Sequence, residues 1–240
     1  MSDVFANEKA FIGYVTAGDP DAEHTETFVR EMMANGADMV ELAIPFSDPS
    51  VEPPALRRAN VRGVAAGMCI DSAFEILESV RKDYDTPVLF RLYANLVFRY
   101  GYDAFFKACA EHGVYGVVIP DVPYEERDEF SSVSEKYGVH MISVIVSAKD
   151  ARMQMIAKKA KGFIYLNPVD REELVSMVPV IRSASKVPLI VAADIGGLDF
   201  DTCAEYADGA MIGTELVVTA EEEGRDSCEY IRKFVQDLRN

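Results

Sequence analysis

The chain has 240 residues, 49% of them hydrophobic, and its 24 Lys plus Arg stand against 40 Asp plus Glu for a net charge of −16. A field of that sign repels nucleic acid and anionic membranes, so neither is an expected partner, and its ordinary consequence is solubility. Four scattered cysteines (Cys69, Cys109, Cys203, Cys228) without a CxxC pair, and three dispersed histidines (His24, His112, His140), argue against a disulfide framework or a metal site.

The N-terminal stretch "MSDVFANEKA" has no apolar signal-peptide core, and no apolar run approaches the length of a membrane span. A cytoplasmic protein is the expectation. In chain order, short β-rich runs then recur: "FIGYVTA" from Phe11, "DMVELAI" from Asp38, "PVLFRLY" from Pro87 and "YGVVIP" from Tyr115. "HMISVIV" from His140, "GFIYL" from Gly162, "VPLIVAA" from Val187 and "GAMIG" from Gly209 complete eight. Helical periods lie between them. "AEHTETFVREMMANG" puts Phe28, Val29, Met32 and Met33 on one stripe and stops at Gly36. "DAFFKACAEHG" and "ERDEFSSVSEKYG" end in glycine as well.

Strand and helix alternating eight times predict an α/β fold, a parallel sheet closed into a (β/α)8 barrel. A doubly wound open sheet competes, but no GxGxxG follows the first strand. No linker is visible, so residues 1–240 are expected to form a single domain. The longest connection, 44–86, follows the second strand.

Active-site residues of such barrels project from the C-terminal ends of strands, and side chains alternate between the interior and the helix layer. Val40, Leu42 and Ile44 suit the helix layer, so Met39, Glu41 and Ala43 face inward. An inward carboxylate is costly unless it is paired, solvated or used. Glu41 is therefore either half of a buried ion pair or a general acid/base.

Five stretches in order resemble the α subunit family of tryptophan synthase. They are "YVTAGDPD" (Tyr14 to Asp21), "VELAIPFSDP" (Val40 to Pro49), "RRANVRGVAAG" (Arg57 to Gly67), "YANLVFRYGYDAFF" (Tyr93 to Phe106) and "GVVIPDVPYEE" (Gly116 to Glu126). The likeness is strongest over roughly residues 10–130. It implies a (β/α)8 lyase of tryptophan biosynthesis that cleaves indole-3-glycerol phosphate into indole and glyceraldehyde 3-phosphate by a retro-aldol reaction. It also implies a β-subunit partner that carries pyridoxal phosphate, with no cofactor in this chain. By resemblance Glu41 matches the acid/base glutamate. Glu52 falls on the second carboxylate, an aspartate in the family. Tyr14, Tyr93 and Tyr165 match substrate-pocket aromatics. Asp48 and Asp121 are inherited positions that suit turn and helix capping as well as substrate contact.

The departures converge on the site. The family's aspartate–glycine–proline reads Glu52-Pro53-Pro54 here, which adds a methylene and stiffens the loop. A misplacement of about an ångström can cost about 10²-fold in rate. Arg91 replaces an apolar residue and points inward beside Glu41. It would either hold Glu41 ionised, recognise an anionic group of the substrate, or snorkel to solvent. The family's phosphate loop is replaced by the acidic "NPVDREEL" (Asn167 to Leu174), and Asp194 takes the place of a phosphate-binding glycine. Gly196, Gly197, Gly213 and Thr214 keep backbone donors and a hydroxyl for a phosphate. The expectation is weak lyase activity. The alternative is a repurposed or non-catalytic paralog that acts as a partner protein or on another ligand.

Overall fold

The computed structural model describes residues 4–5, 9–146, 148–168, 170–193 and 198–239. The first half runs β1 (Ala10–Thr16), α1 (Ala22–Ala34), β2 (Met39–Ala43), α2 (Pro54–Ala65), α3 (Ile70–Val80), β3 (Val88–Arg91), α4 (Ala94–Tyr100), α5 (Tyr102–Glu111) and β4 (Gly116–Val118). The second half runs α6 (Asp128–Lys136), β5 (His140–Met141), β6 (Ser143–Val146), α7 (Asp150–Lys159), β7 (Ile164–Asn167), α8 (Arg171–Arg182), β8 (Leu189–Ala192), α9 (Phe200–Tyr206), β9 (Gly209–Ile212), α10 (Thr214–Glu223) and α11 (Ser227–Arg239).

All pairings are parallel, and neighbours follow the order β5-β4-β3-β2-β1-β9-β8-β7-β6. The expected eight strands become nine because the fifth is split at Ile142. Its first half pairs with β4 and its second half with β7. The chain itself joins the two ends of the ladder, so the sheet returns on itself as a nearly closed barrel. Ile142 N–H still donates to the Val117 carbonyl at 2.9 Å, and the β4 ladder ends there.

Strand alternation sorts the core into two shells. Val40, Leu42 and Ile44 pack under the helices, whereas Ile12, Tyr14, Met39 and Ala43 fill the interior. The α1 stripe is buried as its period predicts, and Asp21 caps that helix by accepting the His24 N–H at 3.0 Å.

The 44–86 connection is mostly helical. Pro53 and Pro54 open α2, with Pro53 in extended backbone at the cap and Pro54 in the first turn. Proline is pre-organised there because its missing N–H would be unpaired in any case. The Pro-Pro pair is thus a helix start as well as a stiff loop. α2 is seated on the loop after β1 by close backbone approach. A Cβ on Gly63 would lie 2.3 Å from the Ala17 carbonyl oxygen, and Gly18, at φ +82°, lies against Gly63. Arg62 grips buried Asp19 with Nε–Oδ1 2.6 Å and Nη2–Oδ2 2.9 Å. These contacts fix the helix that carries Leu56 to the barrel mouth.

Candidate active site

The site is built from strand ends. β2 delivers Glu41, β3 delivers Arg91, β7 delivers Tyr165, β1 delivers Tyr14, and the loop before α2 delivers Glu52. Register sets the neighbours: Tyr14 is level with Glu41, and Glu41 with Leu89, so Arg91 lies one residue pair further toward the mouth.

Glu41 has no exposed surface. Its Oε2 accepts the Tyr165 phenol at 2.5 Å, and its Oε1 accepts Arg91 Nη1 at 3.2 Å. Arg91 Nε donates to Glu52 Oε1 at 2.8 Å. One guanidinium therefore bridges the two carboxylates. Burial opposes the charge on Arg91, but Glu52 and Glu41 outweigh it and hold its pKa above the ordinary arginine range. One of the three readings of Arg91 had it depress the Glu41 pKa. Desolvation instead raises that pKa, and the arginine and the Tyr165 hydrogen bond offset only part of the rise. Glu41 is fully buried, and desolvation outweighs its two donors.

A cavity of about 50 Å³ lies over this cluster. Tyr14, Glu52, Arg91, Tyr165 and Thr214 line it, with walls from Leu56, Val144 and Met211. Glu41 is behind the lining, screened by Arg91 and Tyr165. Glu52 reaches the site: it is 6% exposed and faces the cavity. α2 and Arg91 bring both carboxylates to the same mouth.

Tyr14 is buried, and burial with the nearby Glu52 pushes its phenol well up. Tyr93 takes a different place from the one its motif suggests. It does not line the cavity; its hydroxyl accepts the Val51 N–H at 3.3 Å and its ring stacks on Phe46 with centroids 5.0 Å apart. Tyr93 thus holds the Glu52 loop. Asp121 caps α4, accepting the Ala94 N–H at 3.0 and 3.2 Å. Asp170 in the acidic loop caps α8 by accepting the Glu173 N–H at 2.8 Å. That loop's acidity therefore has a local cause. Gly213 caps α10 and places Thr214 at the cavity. Asp194, Gly196 and Gly197 lie outside the described residues.

Sequence reasoning missed Leu56, Val144, Asn167, Ala192 and Met211 in the lining. All but Leu56 sit on inward registers or strand ends, so alternation carried a signal for them. Leu56 sits on α2 and carried none. Among the described residues, no group of three or more His, Cys, Asp or Glu could hold a metal ion, and no helix is long and apolar enough to cross a membrane.

Comparison with known proteins agrees with this geometry. The family profile described as "Tryptophan synthase alpha chain" matches residues 2–239. A tryptophan synthase alpha chain of Lacticaseibacillus casei is 40% identical, over 100% of this chain and 94% of that one. The crystal structure of tryptophan synthase subunit alpha from Legionella pneumophila superposes with a TM-score of 0.86 at 32% identity, covering 96% of this chain and 91% of that one. The tryptophan synthase complex from Pyrococcus furiosus contains a chain that superposes with a TM-score of 0.86 at 25% identity, covering 97% of this chain and 98% of that one. The nearly closed parallel barrel, the buried glutamate at its mouth and these relatives together place the chain in the tryptophan synthase alpha chain family, lyases of tryptophan biosynthesis.

Proposed function

We propose that the chain cleaves indole-3-glycerol phosphate with Glu41 as the proton-transfer group and Glu52 as the acceptor for the indole N–H. The observation that carries this reading is a fully buried Glu41 at the barrel mouth whose two oxygens are held by Tyr165 and Arg91, and desolvation there raises its pKa. A carboxyl tuned upward donates a proton more readily near neutral pH than an exposed one. In the proposed sequence Glu41 protonates indole C3, which dearomatises the five-membered ring. The resulting carboxylate takes the proton of the glycerol hydroxyl on the carbon attached to C3. The bond from C3 to that carbon breaks, its electron pair restores the indole, and the hydroxyl carbon leaves as the aldehyde of glyceraldehyde 3-phosphate. Glu41 ends protonated, so the proton count closes. Glu52 accepts a hydrogen bond from the ring N–H, which is most acidic in the protonated intermediate.

Arg91 screens Glu41 from the cavity, so productive binding requires the guanidinium to swing aside while Glu52 turns to the ring nitrogen. The phosphate is read as lying near Thr214 and the N-terminus of α10, with Gly213, Gly196 and Gly197 as further donors. Tyr14 and Tyr165 flank the indole. The step requires no cofactor in this chain. A tryptophan synthase β subunit carrying pyridoxal phosphate is the proposed partner. Exposed Val51 and Phe98 lie just beyond the strands that carry Glu41 and Arg91, where such a partner would cover them.

Indole release from purified protein and indole-3-glycerol phosphate tests the reading. Glu41→Gln is expected to lower the rate by about 10²–10⁴-fold. Indole formation at the wild-type rate by Glu41→Gln would remove Glu41 from the chemistry. No indole from the wild type, with and without a β subunit, would favour a repurposed α paralog.

A further inference from the structure

A second and larger cavity, about 210 Å³, opens where the fifth strand is split. The β4 ladder to that strand ends at the Ile142 N–H, and β6 is laddered to β7 alone, so Ile119 and Pro120 face Ser143 and Val144 across an unpaired seam. Arg127, at the start of α6, reaches into the seam. Its Nη1 donates to Ser143 Oγ at 2.6 Å and its Nη2 to the Met141 carbonyl at 3.1 Å. Tyr124 lies under the guanidinium, 5.6 Å from its ring centroid. Both hydrogen-bond acceptors are neutral. Burial lowers the Arg127 pKa despite nearby Asp128 and Glu135, so this cation lacks the full compensation that a directly bonded carboxylate would give. The other arginine at the cavity, Arg152, is already paired with Glu125.

The rest of the wall is apolar: Ile119, Val122, Met141, Val144, Val146 and Ile156. A small, mostly apolar cavity with a few polar groups, here Arg127, Ser143 and the carboxylate-paired Arg152, is the form of a small-molecule site. Its volume falls below the about 300–1,000 Å³ of drug-sized pockets, which limits the occupant to one compact ring system. A planar guanidinium with donors to spare matches a carboxylate in a bidentate manner.

We propose that this seam is a binding site for a small aromatic monocarboxylate, its carboxylate on Arg127 and its ring against Ile119, Val122, Val144 and Ile156. The site is distinct from the cavity over Glu41, although Val144 lines both. It does not depend on the lyase reading.

Calorimetric titration of the full chain with sodium benzoate, and with benzamide as the uncharged isostere, tests it. Benzoate is expected to bind, with benzamide at least about tenfold weaker. Arg127→Gln should weaken benzoate by about tenfold or more, the loss expected for a charged hydrogen-bonded partner. Val146→Trp, at an exposed rim position, should block benzoate while keeping Arg127, which guards against a folding defect in the first variant. A benzoate-soaked crystal should show the carboxylate on Arg127. Equal affinity for benzoate and benzamide, undiminished binding by either folded variant, absence of benzoate binding at millimolar concentration, or benzoate located over Glu41 would each overturn the proposal.

Discussion

The Arg91 guanidinium is shared between Glu41, at 3.2 Å, and Glu52, at 2.8 Å, so one cation serves two buried carboxylates. The shorter bond goes to the carboxylate on the loop before α2, and the longer one to the carboxylate in β2. Arg91 therefore does two things at once. It latches the Glu52 loop to the strand ends, and it supplies part of the positive charge that a buried Glu41 needs. Burial still dominates at Glu41, whose pKa stays raised.

Arg91→Leu removes the only guanidinium bonded to either carboxylate among the described residues. Breaking a buried pair on one side costs about 3–5 kcal/mol where the remaining charge has no escape. Here Glu41 can escape by protonation. The variant should lose most stability at about pH 8 and markedly less at about pH 5, because without the cation the Glu41 pKa rises further and its protonated form spares the charge. Urea unfolding at the two pH values measures it. An equal loss at both would mean that Arg91 contributes packing rather than charge.

Tyr165→Phe isolates the other donor. The phenol lowers the Glu41 pKa by bonding its carboxylate form, so its loss should raise that pKa further. The acid-to-base transition of kcat for indole release should move to higher pH, with kcat at the optimum falling less than in Glu41→Gln. A profile that keeps its midpoint while KM alone rises would make Tyr165 a ring contact with no hold on the proton.

The barrel was legible because each strand is a short apolar run bounded by turn residues, and the inward placement of Glu41 followed from period-two alternation alone. The site's electrostatics were not. Arg91 beside Glu41 could be read from adjacent strands, but the sign of the Glu41 shift depends on how much water the assembled pocket excludes, which no local pattern records. The route by which Glu52 reaches the mouth was not legible for a related reason. Its two following prolines signalled a stiff loop, but they also start α2, and the seat of that helix on Gly18, Gly63 and Asp19 comes from distant parts of the chain. Tyr93 carried a motif yet serves the loop through Val51, because the direction of its hydroxyl is set by Phe46 stacking. The split at Ile142 left no mark on "HMISVIV", which reads as one unbroken β-rich run.

Glu41 also makes stability depend on pH in a definite direction. Its folded pKa lies above the ordinary 4.5. Its contribution is therefore complete below the unfolded value and is lost as pH rises through the folded value. Glu41→Gln cannot ionise and escapes that loss. The stability difference, variant minus wild type, should become more favourable to the variant between about pH 4 and the raised folded pKa, then level off. Thermal or urea unfolding across that window reads it. A difference that moves against the variant as pH rises would place the folded pKa below the ordinary value and make Arg91 the dominant influence after all.

The three departures at the mouth are expected to act as one unit. Glu52→Asp alone shortens the carboxylate that Arg91 holds at 2.8 Å, so it should weaken the latch without freeing Glu41. Pro53→Gly alone loosens the entry to α2 and should destabilise the chain by about 0.4–1 kcal/mol through the greater freedom of the unfolded state. Arg91→Leu alone unscreens Glu41 but leaves the longer Glu52 side chain on a stiff loop with no partner. Together they shorten the second carboxylate, let its loop adjust, and open the path from the cavity to Glu41. The triple variant should release indole faster than any single one, by more than the product of the single effects, because the residues share contacts and do not add independently. Rates for the wild type, the three singles and the triple, each with folded fraction checked by circular dichroism, give the comparison. If the wild type is the fastest and Arg91→Leu loses most of its activity through a higher KM, Arg91 binds substrate and the latch is not a barrier to catalysis.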